Sequence, residues 1–124
     1  SHFMNQQQEH LLRHCADKGY QAAGSTAVVA SAKDEKENML RLVERLKADG
    51  IKTMLISNPS RISLDPNDFI EIVFAFSKNG VTIEYQDSDG NTRNLLEVLE
   101  QFRTANLNYG TFRHLSYGSI FCTA

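Results

Sequence analysis

Tryptophan is absent from this 124-residue chain, proline and cysteine occur twice each, and the 13 lysines and arginines do not outnumber the 15 aspartates and glutamates. Each shortage excludes something. The formal net charge of −2 leaves no basic excess with which a small protein could hold nucleic acid by phosphate neutralisation alone. A role on DNA therefore needs a local patch or a separate domain. Cys15 and Cys122 stand far apart, with no spacing that suggests a disulfide framework or a metal knuckle, so a reducing cytoplasm is the expected setting. No apolar run approaches the roughly 20 residues of a membrane span, and there is no signal-peptide hydrophobic region. What is present is ordinary for one folded domain: 41% hydrophobic and 23% charged residues.

Ser1-His2-Phe3 ahead of Met4 has the look of a cloning remnant, so residues 1–4 are set apart from an α/β domain over 5–105 and an aromatic tail over 106–124. Leu11, Leu12, Cys15 and Ala16 recur at helical spacing between Gln6 and Lys18, and Gly19 supplies a stop. The run Ala27-Val28-Val29-Ala30, within Tyr20 to Ser31, predicts a strand. Met39, Leu42, Val43 and Leu46 stripe a second helix from Lys33 to Ala48, ended by Gly50.

Thr53-Met54-Leu55-Ile56 is apolar on both faces, as an inner strand requires. Asp65-Pro66-Asn67-Asp68 opens a third helix, with Asp65 as N-cap and Pro66 at the first helical position, and Asn79-Gly80 closes it. Val81 to Tyr85 alternates as a strand near the sheet edge, 87–91 is a turn, and Thr92 to Thr104 is a last helix. The order αβαβαβα predicts a three-layer sandwich around a mainly parallel sheet.

In such a sheet, functional groups gather beyond the carboxyl ends of the strands. The loop Ser57 to Leu64 falls there, and Arg61 within it has the fork geometry for a phosphate beside a helix amino terminus, though Asp65 competes for that terminus. Ser60 and Ser63 have no neighbouring histidine to activate them. His10 and His14, at i, i+4, are expected to be exposed helix histidines in preference to metal ligands. Asp87, Asp89 and Asn91 resemble the start of a calcium loop, but Gly90 comes too early and the closing glutamate is missing. No metal and no cofactor are expected.

Read without gaps, Lys52 to Asp65, then Asp68-Phe69-Ile70 through Asn79-Gly80-Val81-Thr82-Ile83, resembles the catalytic-domain core of the resolvase and invertase serine recombinases. In that family a strand leads into Asp-Arg-Leu-x-Arg-Asp, an amphipathic helix, a Gly-Val pair and another strand. Gln7, Leu11 and Gly19-Tyr20 fit its early helix. The resemblance implies a resolvase-like fold, a role in site-specific DNA recombination, self-association and a DNA partner reached through a separate domain. It also implies a central first strand carrying the serine that attacks a DNA phosphate.

The departures lie in the chemistry. Ser60 stands at the acid of the loop motif, Arg61 keeps the first arginine and Leu64 replaces the second. The family's serine setting, Tyr-x-Arg-Val-Ser, does not occur ahead of Asn5. Phosphoryl transfer needs concentrated positive charge around the transferring group, and losing one such donor commonly costs on the order of 10²-fold in rate. The expectation is a chain that does not cut DNA, with Arg61 as a vestigial phosphate-binding residue and Ser60, Ser63 and Gln7 as binding residues. It would serve as a truncated, dimerising or regulatory fragment, or as the remnant of a mobile element. A small α/β module binding a phosphate-bearing ligand or a protein is the alternative. Without the central strand the sheet has a vacancy, to be filled by the tail from Tyr109 to Phe121 or by a second subunit.

Overall fold

The computed structural model describes residues 2–26, 32–57, 66–105 and 119–123. Among these residues four helices and five strands follow one another as α1 (His2–Asp17), β1 (Ala22–Thr26), α2 (Ala32–Ala48), β2 (Thr53–Ile56), α3 (Pro66–Lys78), β3 (Thr82–Gln86), β4 (Thr92–Asn94), α4 (Leu95–Ala105) and β5 (Ser119–Cys122). They share one sheet, ordered β1-β5-β2-β3-β4.

The first three helices end in the same way. Gly19, Gly50 and Gly80 take φ of 72°, 73° and 75°, a left-handed turn that costs a side chain energy and glycine very little. The next residue then donates its amide to a carbonyl five positions back: Tyr20 to Cys15 at 3.0 Å, Ile51 to Leu46 at 2.9 Å, Val81 to Phe76 at 2.9 Å. Each helix is thereby closed and its chain aimed into the strand that follows.

Along β2 the side chains alternate between two apolar clusters, so the clusters lie on opposite faces of the sheet. Met54 and Ile56 join Met39, Val43 and Leu46 of α2, Phe69, Ile72, Val73 and Phe76 of α3, Leu95 and Leu99 of α4, and Ile83 and Phe121. Leu55 joins Cys122 with Leu11 and Cys15 of α1, and Tyr20 packs against them. All four residues of β2 are buried, as the sequence led us to expect of an inner strand.

The sheet differs from the expected mainly parallel one. Among the described residues only β2 and β3 pair in parallel, with Met54 opposite Ile83. β5 lies antiparallel to β1, with Gly24 opposite Phe121, and antiparallel to β2, with Met54 opposite Phe121. β4 folds back on β3 as a hairpin, with Tyr85 opposite Arg93. Since β1 and β2 both oppose β5, they run the same way as each other and as β3. The three strands linked by helices do share one direction, and the two added strands turn the sheet mixed.

Two boundaries also move. The first strand is Ala22–Thr26, whereas the apolar run 27–30 lies outside the described residues. The last helix begins at Leu95 because the Asn94 side chain accepts the Leu96 amide at 3.0 Å, which caps it there and leaves Thr92 to Asn94 to the hairpin. Residues 2–4 belong to α1. No helix among the described residues is long and apolar enough to cross a membrane.

Candidate functional site

β2 ends at Ile56, and the chain passes through Ser57 towards α3, which starts at Pro66. Arg61, Ser60 and Ser63 belong to that connection and lie outside the described residues, as does Asp65, the expected N-cap. Gln7 lies on α1, with its side chain outside the described set. The strands nevertheless fix where the connection is anchored. Ile56 and Thr26 both face Ser119, so the carboxyl ends of β1 and β2 and the start of β5 meet at one end of the sheet. The 87–91 turn, after the carboxyl end of β3, reaches the same end because β3 runs parallel to β2.

Two sets of charges border this end. Lys36 near the start of α2 reaches Glu71 at 2.7 Å and Asp68 at 3.5 Å on α3, and the hydrogen bond to Glu71 raises the Lys36 pKa. This cation joins the two helix starts and is already matched by carboxylates. In the turn, one Asp87 oxygen accepts the amides of Asp89 at 3.0 Å and Asn91 at 2.9 Å, and the other accepts Arg93 Nε at 2.9 Å. The Asn91 amide first, and Arg93 next, hold the Asp87 carboxyl below its usual range. Both oxygens are thus engaged within the hairpin.

Beneath α1 the other face of the sheet carries a polar group of residues that sequence reasoning did not assemble. Tyr20 donates its hydroxyl to Glu84 Oε1 at 2.8 Å. Burial, and then this bond to Glu84, push the Tyr20 pKa up to about 12. His14 is 2% exposed, contrary to the surface histidine expected, and its Nε2 lies 2.9 Å from Thr92 Oγ1.

Its Nδ1 is buried without a partner among the described residues. A bare lone pair costs less there than an unsatisfied N–H, which assigns the proton to Nε2 and makes Thr92 the acceptor. The buried stripe of α1 is therefore Leu11, His14 and Cys15, at i, i+3 and i+4, while Leu12 is 46% exposed. No signal in the sequence separates His14 from His10, which is exposed on the same helix. The distinction comes from where α1 docks.

Cys15 and Cys122 also meet here, with their sulfurs 3.6 Å apart. Burial, then the neighbouring Cys15 thiol, push the Cys122 pKa up to about 12. Among the described residues no group of three or more His, Cys, Asp or Glu is placed to hold a metal.

The profile of the family described as Resolvase, N terminal domain matches residues 1–109. No curated protein and no solved structure matches the chain. The matched stretch takes in α1 to α4 and the connection bearing Arg61, and it stops short of β5.

Proposed function

Because the chain belongs to the resolvase N-terminal domain family, we propose that it serves site-specific DNA recombination as a serine-recombinase-like domain that does not itself cut DNA, and that it acts as a dimerising or regulatory piece. The observation that carries this reading is the seat of β5. A strand from outside the family-matched residues stands between β1 and β2, hydrogen-bonded to both. The family resemblance implies a central strand that brings a nucleophilic serine into the sheet. Any such strand entering between β1 and β2 must first displace β5.

The loop chemistry supports the same conclusion. With Ser60 and Leu64 at the family's acid and second-arginine positions, Arg61 is the motif's one retained cation, and one guanidinium does not supply the field that phosphoryl transfer needs. The net charge of −2 adds that a DNA partner would be reached through a separate domain.

The test mixes the 124-residue polypeptide with supercoiled plasmid, quenches with detergent and looks for protein joined to DNA through phosphoserine, with sedimentation of the protein alone in parallel. The expected result is no covalent adduct and a dimer. An adduct overturns the inactive reading, and a monomer at every concentration overturns the dimerising one. A phosphate-bearing ligand that raises the melting temperature of the wild type but not of Arg61→Ala would favour an anion-binding module instead.

A further inference from the structure

The two cysteines are 107 positions apart, one on the buried face of α1 and the other at the end of β5. Both are free and buried, and their sulfurs lie 3.6 Å apart in a pocket of side chains from Leu11, Leu55 and Tyr20. The Cys15 sulfur also lies 3.5 Å from the Tyr20 carbonyl. A disulfide bond of about 2.0 Å is within reach of side-chain rotation and a small approach of helix to strand.

We propose that Cys15 and Cys122 form a redox pair whose disulfide, made by exchange with a small-molecule disulfide such as oxidised glutathione, fastens β5 to α1 and so locks β5 between β1 and β2. The inference goes beyond the recombination reading and holds whatever the Arg61 loop does. In the proposed exchange Cys15, on the helix that covers this face, reacts first. Its thiolate attacks one sulfur of the oxidised glutathione, forming a mixed disulfide and releasing one glutathione. Cys122 then gives up its proton and attacks the Cys15 sulfur, releasing the second glutathione. Two protein thiols are oxidised and one small disulfide is reduced to two thiols.

The burial of both sulfurs shapes the kinetics. A closed domain shields them, so the first exchange proceeds when α1 or β5 opens locally. Once the bond has formed, β5 can no longer leave its slot without carrying α1 with it. The strand that blocks the slot is therefore removable under reducing conditions and fixed under oxidising ones.

The reduced full-length chain, incubated with oxidised glutathione to equilibrium, provides the test. Expected are chains two hydrogens lighter, free of cross-links to one another and with Cys15 and Cys122 in one cross-linked peptide pair, and a melting temperature higher by several degrees that falls back on adding dithiothreitol. Amide exchange of Ile120 to Cys122 should slow by about tenfold or more, since closing a loop of this length restricts the opened chain strongly. Stable glutathione adducts, cross-links between chains, or two thiols left unreacted at equilibrium would overturn the proposal. So would a correct disulfide that leaves melting and β5 exchange unchanged. The comparison of oxidised with reduced wild type requires no variant. Cys122→Ala, expected to show no oxidant-dependent shift, checks the assignment.

Discussion

His14 holds α1 to the far edge of the sheet through one hydrogen bond, to Thr92 on β4, and does so as a neutral imidazole. Burial is the largest influence on it and lowers its pKa; Glu84 and Asp17 raise it, while His10 and Lys18 lower it further. The sign of the resulting pH dependence follows from proton counting. In the unfolded chain the imidazole takes up a proton near its ordinary value of about 6.5. The folded chain resists until a lower pH, so between those two values the unfolded state binds more protons and stability falls as pH falls. Urea midpoints should therefore decrease on acidifying from neutrality. In His14→Gln, which keeps an amide donor but does not titrate, the part of that slope lying just below about 6.5 should be lost. An unchanged slope in the variant would show that carboxylates alone produce the acid sensitivity.

β5 shows how few residues can set an element when its position is decided by its neighbours. Its four residues donate and accept across two ladders, and the Lys52 amide bonds to the Cys122 carbonyl at 2.8 Å just beyond the strand. Phe121 is 5% exposed and lies in the larger cluster, 3.8 Å from where a side chain on Gly24 would begin. Phe121→Ala should cost roughly 3–5 kcal/mol in urea unfolding. Thr123→Ala, at the exposed position just after the strand, should change stability by no more than about 0.5 kcal/mol. Equal effects at the two positions would mean that β5 is not packed as described.

The elements that could be read from sequence were those with their own periodicity. α2, β2 and α3 carry stripes or runs long enough to announce themselves, and the glycine stops of the two helices, Gly50 and Gly80, stood where expected. β1 did not, because Ala22-Ala23-Gly24-Ser25-Thr26 has little strand character of its own beside the more apolar 27–30. β4 was absorbed into the helix after it, since three residues are too few to alternate. β5 was legible only as a vacancy with two possible occupants, because the sequence does not say which free segment pairs with which free edge. The Arg61 loop was legible as a motif, while the Tyr20–Glu84 and His14–Thr92 contacts depend on the docking of α1 and had no sequence signal.

Across the molecule, three strands linked by helices run in one direction, and a fourth from the end of the chain runs against them through their midst. The resolvase family supplies the first part of that architecture, over residues 1–109, and the segment beyond it closes the sheet. Sheet, loop and redox pair are connected through β5: it separates β1 from β2, its start meets the carboxyl ends of those two strands, and its last residue contacts α1. The central claim is that this strand occupies the slot antiparallel to both neighbours. Cross-strand backbone NOEs in the NMR spectrum of the intact reduced chain test it most directly. The structure predicts contacts from Phe121 and Ile120 to Gly24 and Ser25 on one side and to Met54 and Leu55 on the other. Direct backbone contacts between β1 and β2, with residues 119–122 showing the shifts of an unpaired chain, would contradict it.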